Sequence, residues 1–169
     1  MPRPAIIAIV LLSLVGGAVG AWLSLPPSAA NAGSAPFAGS WDPADPRLGE
    51  KAYVMCQGCH GADGRGVPGY APALAASRWL TGPPEAAALI VLHGFDSTSE
   101  PGSAYVSSRM LGHGRQLTDA EIAALLTHAR ASWGNQAPAI AAGAVSAMRS
   151  RFSSRSAPWS PAELRAITR

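Results

Sequence analysis

Five consecutive residues, Cys56-Gln57-Gly58-Cys59-His60, hold both cysteines of the chain in a C-x-x-C-H arrangement. No other stretch constrains the fold as strongly. Two thiols three positions apart on a turn of helix can add to the two vinyl groups of one porphyrin, and the histidine that follows then faces the iron. The spacing therefore reads as a covalent attachment site for one haem c, with Cys56 and Cys59 as the thioether positions and His60 as an axial ligand. A zinc site is a poor alternative, because the sequence has no third or fourth cysteine to complete the coordination. The alternative from another class is a thiol–disulfide oxidoreductase using Cys56 and Cys59; against it stands the absence of the βαβ pattern that such dithiols accompany.

Composition supports a cofactor-filled interior. The 169 residues include 18 glycines and 15 prolines, and aromatics make up only 7%. Loops are therefore many and the apolar core is thin, and a buried porphyrin would supply much of the missing interior. The net charge of +3 is unevenly spread. Residues 41–134 are mildly acidic, whereas residues 135–169 carry Arg149, Arg151, Arg155, Arg165 and Arg169 against a single carboxylate, Glu163. No Lys/Arg block is dense enough to argue for nucleic acid. The basic tail can dock an acidic partner or anionic lipid, although a solvated charged face is the more usual outcome.

Four segments are expected. Residues 1–28 form a transmembrane anchor or signal: Arg3 precedes an uncharged run from Ala5 to Leu25, closed by Pro26-Pro27. About 20 apolar residues are needed to cross a bilayer, against roughly 7–15 for the core of a cleavable signal. The charge before the run keeps the N-terminus cytoplasmic and exports the rest. The expected location is therefore the inner membrane, single-pass, with the haem domain in the periplasm, or free in the periplasm if the segment is cleaved near Ala30 or Ala32. Residues 29–45 are rich in Ala, Gly, Ser and Pro and read as a flexible linker. Residues 46–134 form the haem domain, and 135–169 a basic C-terminal extension.

Within the haem domain a first helix is expected from Leu48 to about Met55, delivering the two cysteines at its end. Gly61–Gly66 reads as a turn-rich loop. A second helix starts at Pro83 or Pro84 and runs to His93, with Gly94 as its C-terminal cap. The third starts at the capping box Thr118-Asp119-Ala120-Glu121, and Ile122, Leu125, Leu126, Ala129 and Trp133 recur along one face. The extension has a weaker pattern (Ile140, Val145, Met148, Phe152) and a second cap at Ser160-Pro161-Ala162-Glu163. One or two short helices are expected there.

An electron carrier with six-coordinate iron needs a second ligand from a distant part of the chain, and a methionine raises the potential relative to histidine. Met110, in a Gly/Ser-rich loop, is the candidate. Met55 adjoins the motif and Met148 lies in the extension. His113 leaves a bis-histidine haem open, while His93 and His128 read as helix-end and helix-surface residues.

The chain resembles class I c-type cytochromes. The residues that carry the likeness are Gly49-x-x-x-Tyr53-x-x-Cys56-x-x-Cys59-His60-Gly61-x-Asp63-Gly64-x-Gly66, then Pro72-Ala73-Leu74, Met110 and Leu117-Thr118-Asp119-Ala120-Glu121-Ile122. More narrowly, Trp79-Leu80, Leu92-His93-Gly94, Ser132-Trp133-Gly134-Asn135 and Pro158-Trp159-Ser160 resemble single-haem, membrane-anchored cytochromes that serve periplasmic dehydrogenases. The resemblance implies an all-α fold of a few helices around a covalently bound haem. In it Gly49 and Tyr53 meet the Ile122/Leu126/Ala129 face, and the Pro72 carbonyl accepts a bond from the His60 ring. It implies an electron carrier rather than an enzyme, passing electrons from a redox donor to an acceptor, such as a dehydrogenase and the respiratory chain. Arg78, Trp79 and Tyr70 are candidates to bond the haem propionates. Two departures stand out: Leu111 follows Met110 where proline is common, and His128 replaces an aromatic. Asp96–Arg109 is not explained by the family pattern. The rival within haem chemistry is an enzyme whose Met110 bond is labile.

Overall fold

Local signals place most of the helices. The Thr118 hydroxyl accepts the Glu121 backbone N–H at 3.3 Å, and the Glu121 carboxylate accepts the Thr118 N–H at 2.7 Å, so α4 (Asp119–Ala131) begins as the capping box predicts. Pro84 opens α3 (Pro84–His93), and Gly94 at φ 91° ends it. These elements belong to a computed structural model that describes residues 41–42, 44–99 and 109–168. The other elements are α1 (Leu48–His60), the short α2 (Arg78–Thr81), α5 (Ala142–Arg151) and α6 (Pro161–Ile167). The expected anchor, residues 1–28, lies outside the described residues. Among the described residues no helix is long and apolar enough to cross a membrane. Of the expected linker, Trp41 is described and packs against the core.

Helix α1 differs from expectation, continuing through the cysteine motif to His60 instead of stopping near Met55. Cysteine and Gly58 are indifferent to poor helix formers, but tertiary packing overrides propensity. The packing in question is the α1–α4 crossing, the most extensive contact between elements. Gly49 allows it: a Cβ there would lie 2.7 Å from the His128 Cβ and against the Ala124 carbonyl. The crossing point is therefore Ala124/His128, on a different side of α4 from the expected Ile122/Leu126/Ala129 face. Tyr53 meets the far end of α4, with its ring 5.9 Å from His128 and 4.9 Å from Trp133. Trp133 itself is not on the helix. It sits at φ 54°, beyond the Ser132 cap, and its indole N–H reaches the Ala62 carbonyl at 3.1 Å.

The fold is not purely helical. Strands β1 (Gly94–Asp96) and β2 (Arg109–Leu111) form an antiparallel ribbon with Phe95 opposite Met110. Met110 thus lies on a strand, not in a loop, and the Arg109–Asp96 ion pair at 2.8 Å ties the end of the ribbon where the two strands are connected. A 3₁₀ turn, Ser97–Ser99, follows β1, and 100–108 lie outside the described residues.

The 135–168 segment forms two short helices, as expected, and packs against the haem domain. Val145 and Leu164 are fully buried, Ile140 and Trp159 nearly so, and α5 packs on both α3 and α4. Two of its arginines, Arg149 and Arg155, are committed to bonds within the molecule. Arg155 pairs with Glu163 at 2.9 Å and lies 3.5 Å over the Trp159 ring. The Ser160 backbone N–H, followed by Arg155, holds the Glu163 carboxyl down at about 2.

Replacing Gly49 with alanine would gain up to about 1 kcal/mol of helix propensity. The new methyl, however, meets backbone that cannot yield, and overpacking costs about 1–3 kcal/mol. Gly49→Ala is expected to lower stability by about 1–2 kcal/mol, read as a reduced denaturant midpoint.

Candidate haem site

The last turn of α1 presents three reactive groups together. Cys56 is half-buried, Cys59 exposed and His60 buried at 7% exposure. The cysteines, three apart on the helix, share a side. The His60 Nδ1 lies 2.9 Å from the Pro72 carbonyl. A carbonyl can only accept, so Nδ1 carries the proton and Nε2 keeps its lone pair for a metal.

The loop that supplies Pro72 is tied down from just beyond the end of α4. Asn135, 6% exposed, accepts the Ala76 N–H at 2.8 Å and donates to the carbonyls of Leu74 at 3.2 Å and Ala129 at 3.0 Å. The Leu74 N–H reaches the Gly64 carbonyl at 2.8 Å, and the Tyr53 hydroxyl donates to the Gly61 carbonyl at 2.7 Å. Asn135 stands in the sequence only as part of a family likeness; two of its three bonds reach back to the Leu74–Ala76 stretch and leave no local signal.

Facing this turn is a cavity of about 520 Å³ whose lining includes Cys56, Cys59, His60 and Met110. Apolar side chains such as Leu80, Val91, Leu125 and Leu126 contribute to its walls. Two large apolar side chains of the lining, Tyr70 at 57% and Leu111 at 74%, are exposed to solvent. The structure therefore brings Cys56, Cys59, His60 and Met110 onto one cavity. Met148 packs into the core and does not line it. His113 does line it, with Nδ1 buried and unpartnered; burial, and then His60, pull its pKa down. His93 ends α3, as expected, with its Nε2 turned inward, buried without a hydrogen-bond partner near Trp159. Of the propionate candidates, Tyr70 and Trp79 line the cavity, and the Arg78 guanidinium lies 5.0 Å over Trp79.

These residues fit a flat, apolar, iron-bearing group. Two free thiols can anchor its rim, an oriented imidazole and a thioether share its cavity, and hydrocarbon walls exclude water. One exception to the dry walls, the buried Nδ1 of His113, lies without a partner in the same cavity. A small helical protein built around one covalently held haem is what this fold and site define. The chain belongs to the cytochrome c family, whose model matches residues 47–133. It is similar to two cytochromes c-552 of Thermus thermophilus, at 37% identity over 92 residues in each case. The match covers 52% of this chain and 69% and 61% of the two relatives. The chain accordingly binds haem c covalently, and its chemistry is haem-based electron transfer with redox partners.

Asn135→Ala would leave the Ala76 N–H and the Leu74 and Ala129 carbonyls without this partner. A loss of about 1–3 kcal/mol is expected, measured as a lower thermal midpoint of the holoprotein.

Proposed function

We propose that the chain is a one-electron carrier tethered at the periplasmic face of the inner membrane. It would accept electrons from a periplasmic dehydrogenase and pass them to the respiratory chain. Cys56 and Cys59 hold the haem, and His60 and Met110 are the axial ligands. The observation that carries this reading is the convergence of an oriented His60 and Met110 on one apolar cavity. When bound, the haem supplies an Fe(III)/Fe(II) couple. The chain's own residues hold the group, keep both axial positions filled and exclude water, while Tyr70 and Leu111 leave an apolar rim where a redox partner can approach.

Two features support the carrier over its rivals. Burial, with Cys59 adjacent, pushes the Cys56 thiol up to about 11, the opposite of the depressed pKa a redox dithiol needs. The thioether of Met110 gives the second axial position a protein ligand, where an enzyme acting on peroxide or a gas would keep it open. The tether rests on Arg3 and the uncharged Ala5–Leu25 run.

Haem is expected to stay with the polypeptide through acid and organic extraction. The oxidised protein should show the weak red-edge sulfur-to-iron band, and Met110→Ala should abolish it, lower the potential and admit carbon monoxide to the ferrous form. A band that survives Met110→Ala would overturn Met110 as the ligand; a bis-histidine spectrum in the wild type would point to His113. Removing residues 1–28 behind a cleavable export signal should move the protein from the membrane to the soluble periplasmic fraction with its spectrum unchanged, and continued membrane association would overturn the tether.

A further inference from the structure

Met110 sits on a three-residue strand, and a ribbon this small is marginal on its own. Two attachments from the 135–168 segment, beyond the family match, fasten it at both sides. First, β1 is paired along both edges. Opposite β2 it meets residue 159: the Asp96 N–H donates to the Trp159 carbonyl at 2.8 Å, and the Trp159 N–H donates to the Gly94 carbonyl at 3.0 Å. Second, Arg149 of α5 grips the chain just after the ribbon. Its Nε donates to Asp119 at 2.7 Å and one terminal nitrogen to the Leu117 carbonyl at 2.9 Å; the other terminal nitrogen donates to the Gly114 carbonyl.

The segment between is seated on the end of α3. The His113 N–H reaches the Val91 carbonyl at 2.7 Å and the Gly114 N–H the Leu92 carbonyl at 3.2 Å. A Cβ on Gly112 would lie 2.7 Å from the His93 carbonyl carbon. Residues 112–118 are therefore fastened to α3 on one side and to Arg149 on the other. A planar guanidinium can hold three acceptors at fixed angles, which a lysine ammonium on a flexible stem cannot.

We propose that the C-terminal segment is a ligand clamp, with Arg149 as its positioning residue. It keeps the Met110 sulfur on the haem iron and so keeps the sixth coordination position closed to small ligands. The inference rests on Met110 as the axial ligand. A functional group must be held to within about 0.5 Å to work, and here the holding atoms lie far along the chain from the group they hold.

The test compares holoproteins by the sulfur-to-iron band, by the rate at which carbon monoxide binds the reduced form, and by thermal midpoint. Arg149→Gln is expected to weaken the band and speed carbon monoxide binding by about ten- to a hundredfold, the scale of losing charged hydrogen bonds. Arg149→Lys should fall between it and the wild type. The control is Arg130→Gln, which cuts a similar fork of bonds to the Pro138, Leu80 and Gly82 carbonyls, away from the ribbon. It should lower the thermal midpoint and leave band and rate unchanged. If Arg149→Gln keeps the wild-type band and rate while Met110→Ala loses the band, the clamp is overturned and the ligand assignment stands. If Met110→Ala keeps the band, the ligand assignment fails and the clamp with it. Should Arg149→Gln not mature, the Lys variant decides: wild-type band and rate in it overturn the clamp.

Discussion

The last turn of α1 has to present two thiols and an imidazole on one cavity, with the imidazole held in a single orientation. Helical geometry alone puts Cys56 and Cys59 on one side, but it does not orient a ring. That comes from the Pro72 carbonyl, and Pro72 is where it is because its loop is bonded to Asn135 beyond the end of α4. The α1–α4 crossing at Gly49 is what brings those two helix ends close enough. Most other contacts of the site follow from this arrangement. A steric allowance at the start of α1 thus decides, through a buried amide, which nitrogen of His60 is available to a metal.

Arginine is the second recurring device. Arg130 is almost fully buried and ends on backbone carbonyls of Pro138, Leu80 and Gly82. Arg149 uses two carbonyls and Asp119, and Arg155 uses two carbonyls, Glu163 and the face of Trp159. Carbonyl groups at the ends of helices and turns have no backbone partners of their own, and a guanidinium can satisfy several at once. In a chain with few large apolar side chains, these forks join elements that a richer core would join by packing.

Much of this was legible in the sequence, because its signals are local. The capping boxes at Thr118 and Ser160, the Pro84 start and the Gly94 stop each lie within a few residues of what they specify. So does the cysteine motif. The ribbon was not legible: strands of three residues are too short to show a period, and the pairing of Phe95 with Met110 is non-local. The tail illustrates the same limit. Its arginines read as a solvated basic face, because nothing near Arg149 in sequence names Gly114 or Leu117 as its partners. Trp133 kept helical spacing and misled for that reason; its ring is claimed by Ala62 and Tyr53, and its backbone leaves the helix to reach them. Three of the candidate site residues come from one motif, while Met110 is a candidate on its chemistry alone, and its strand leaves no signal in the sequence.

The double pairing of β1 also bears on the order in which the molecule closes. Its inner partner is supplied from nearby, whereas its outer partner is residue 159, close to the last helix. Closing a long stretch of chain costs more entropy than closing a short one, and contacts of large sequence separation repay that cost late. The bridge at residue 159, the longer closure, is therefore expected to form after the β1–β2 pairing. Until it does, β1 is held along one edge alone, by β2.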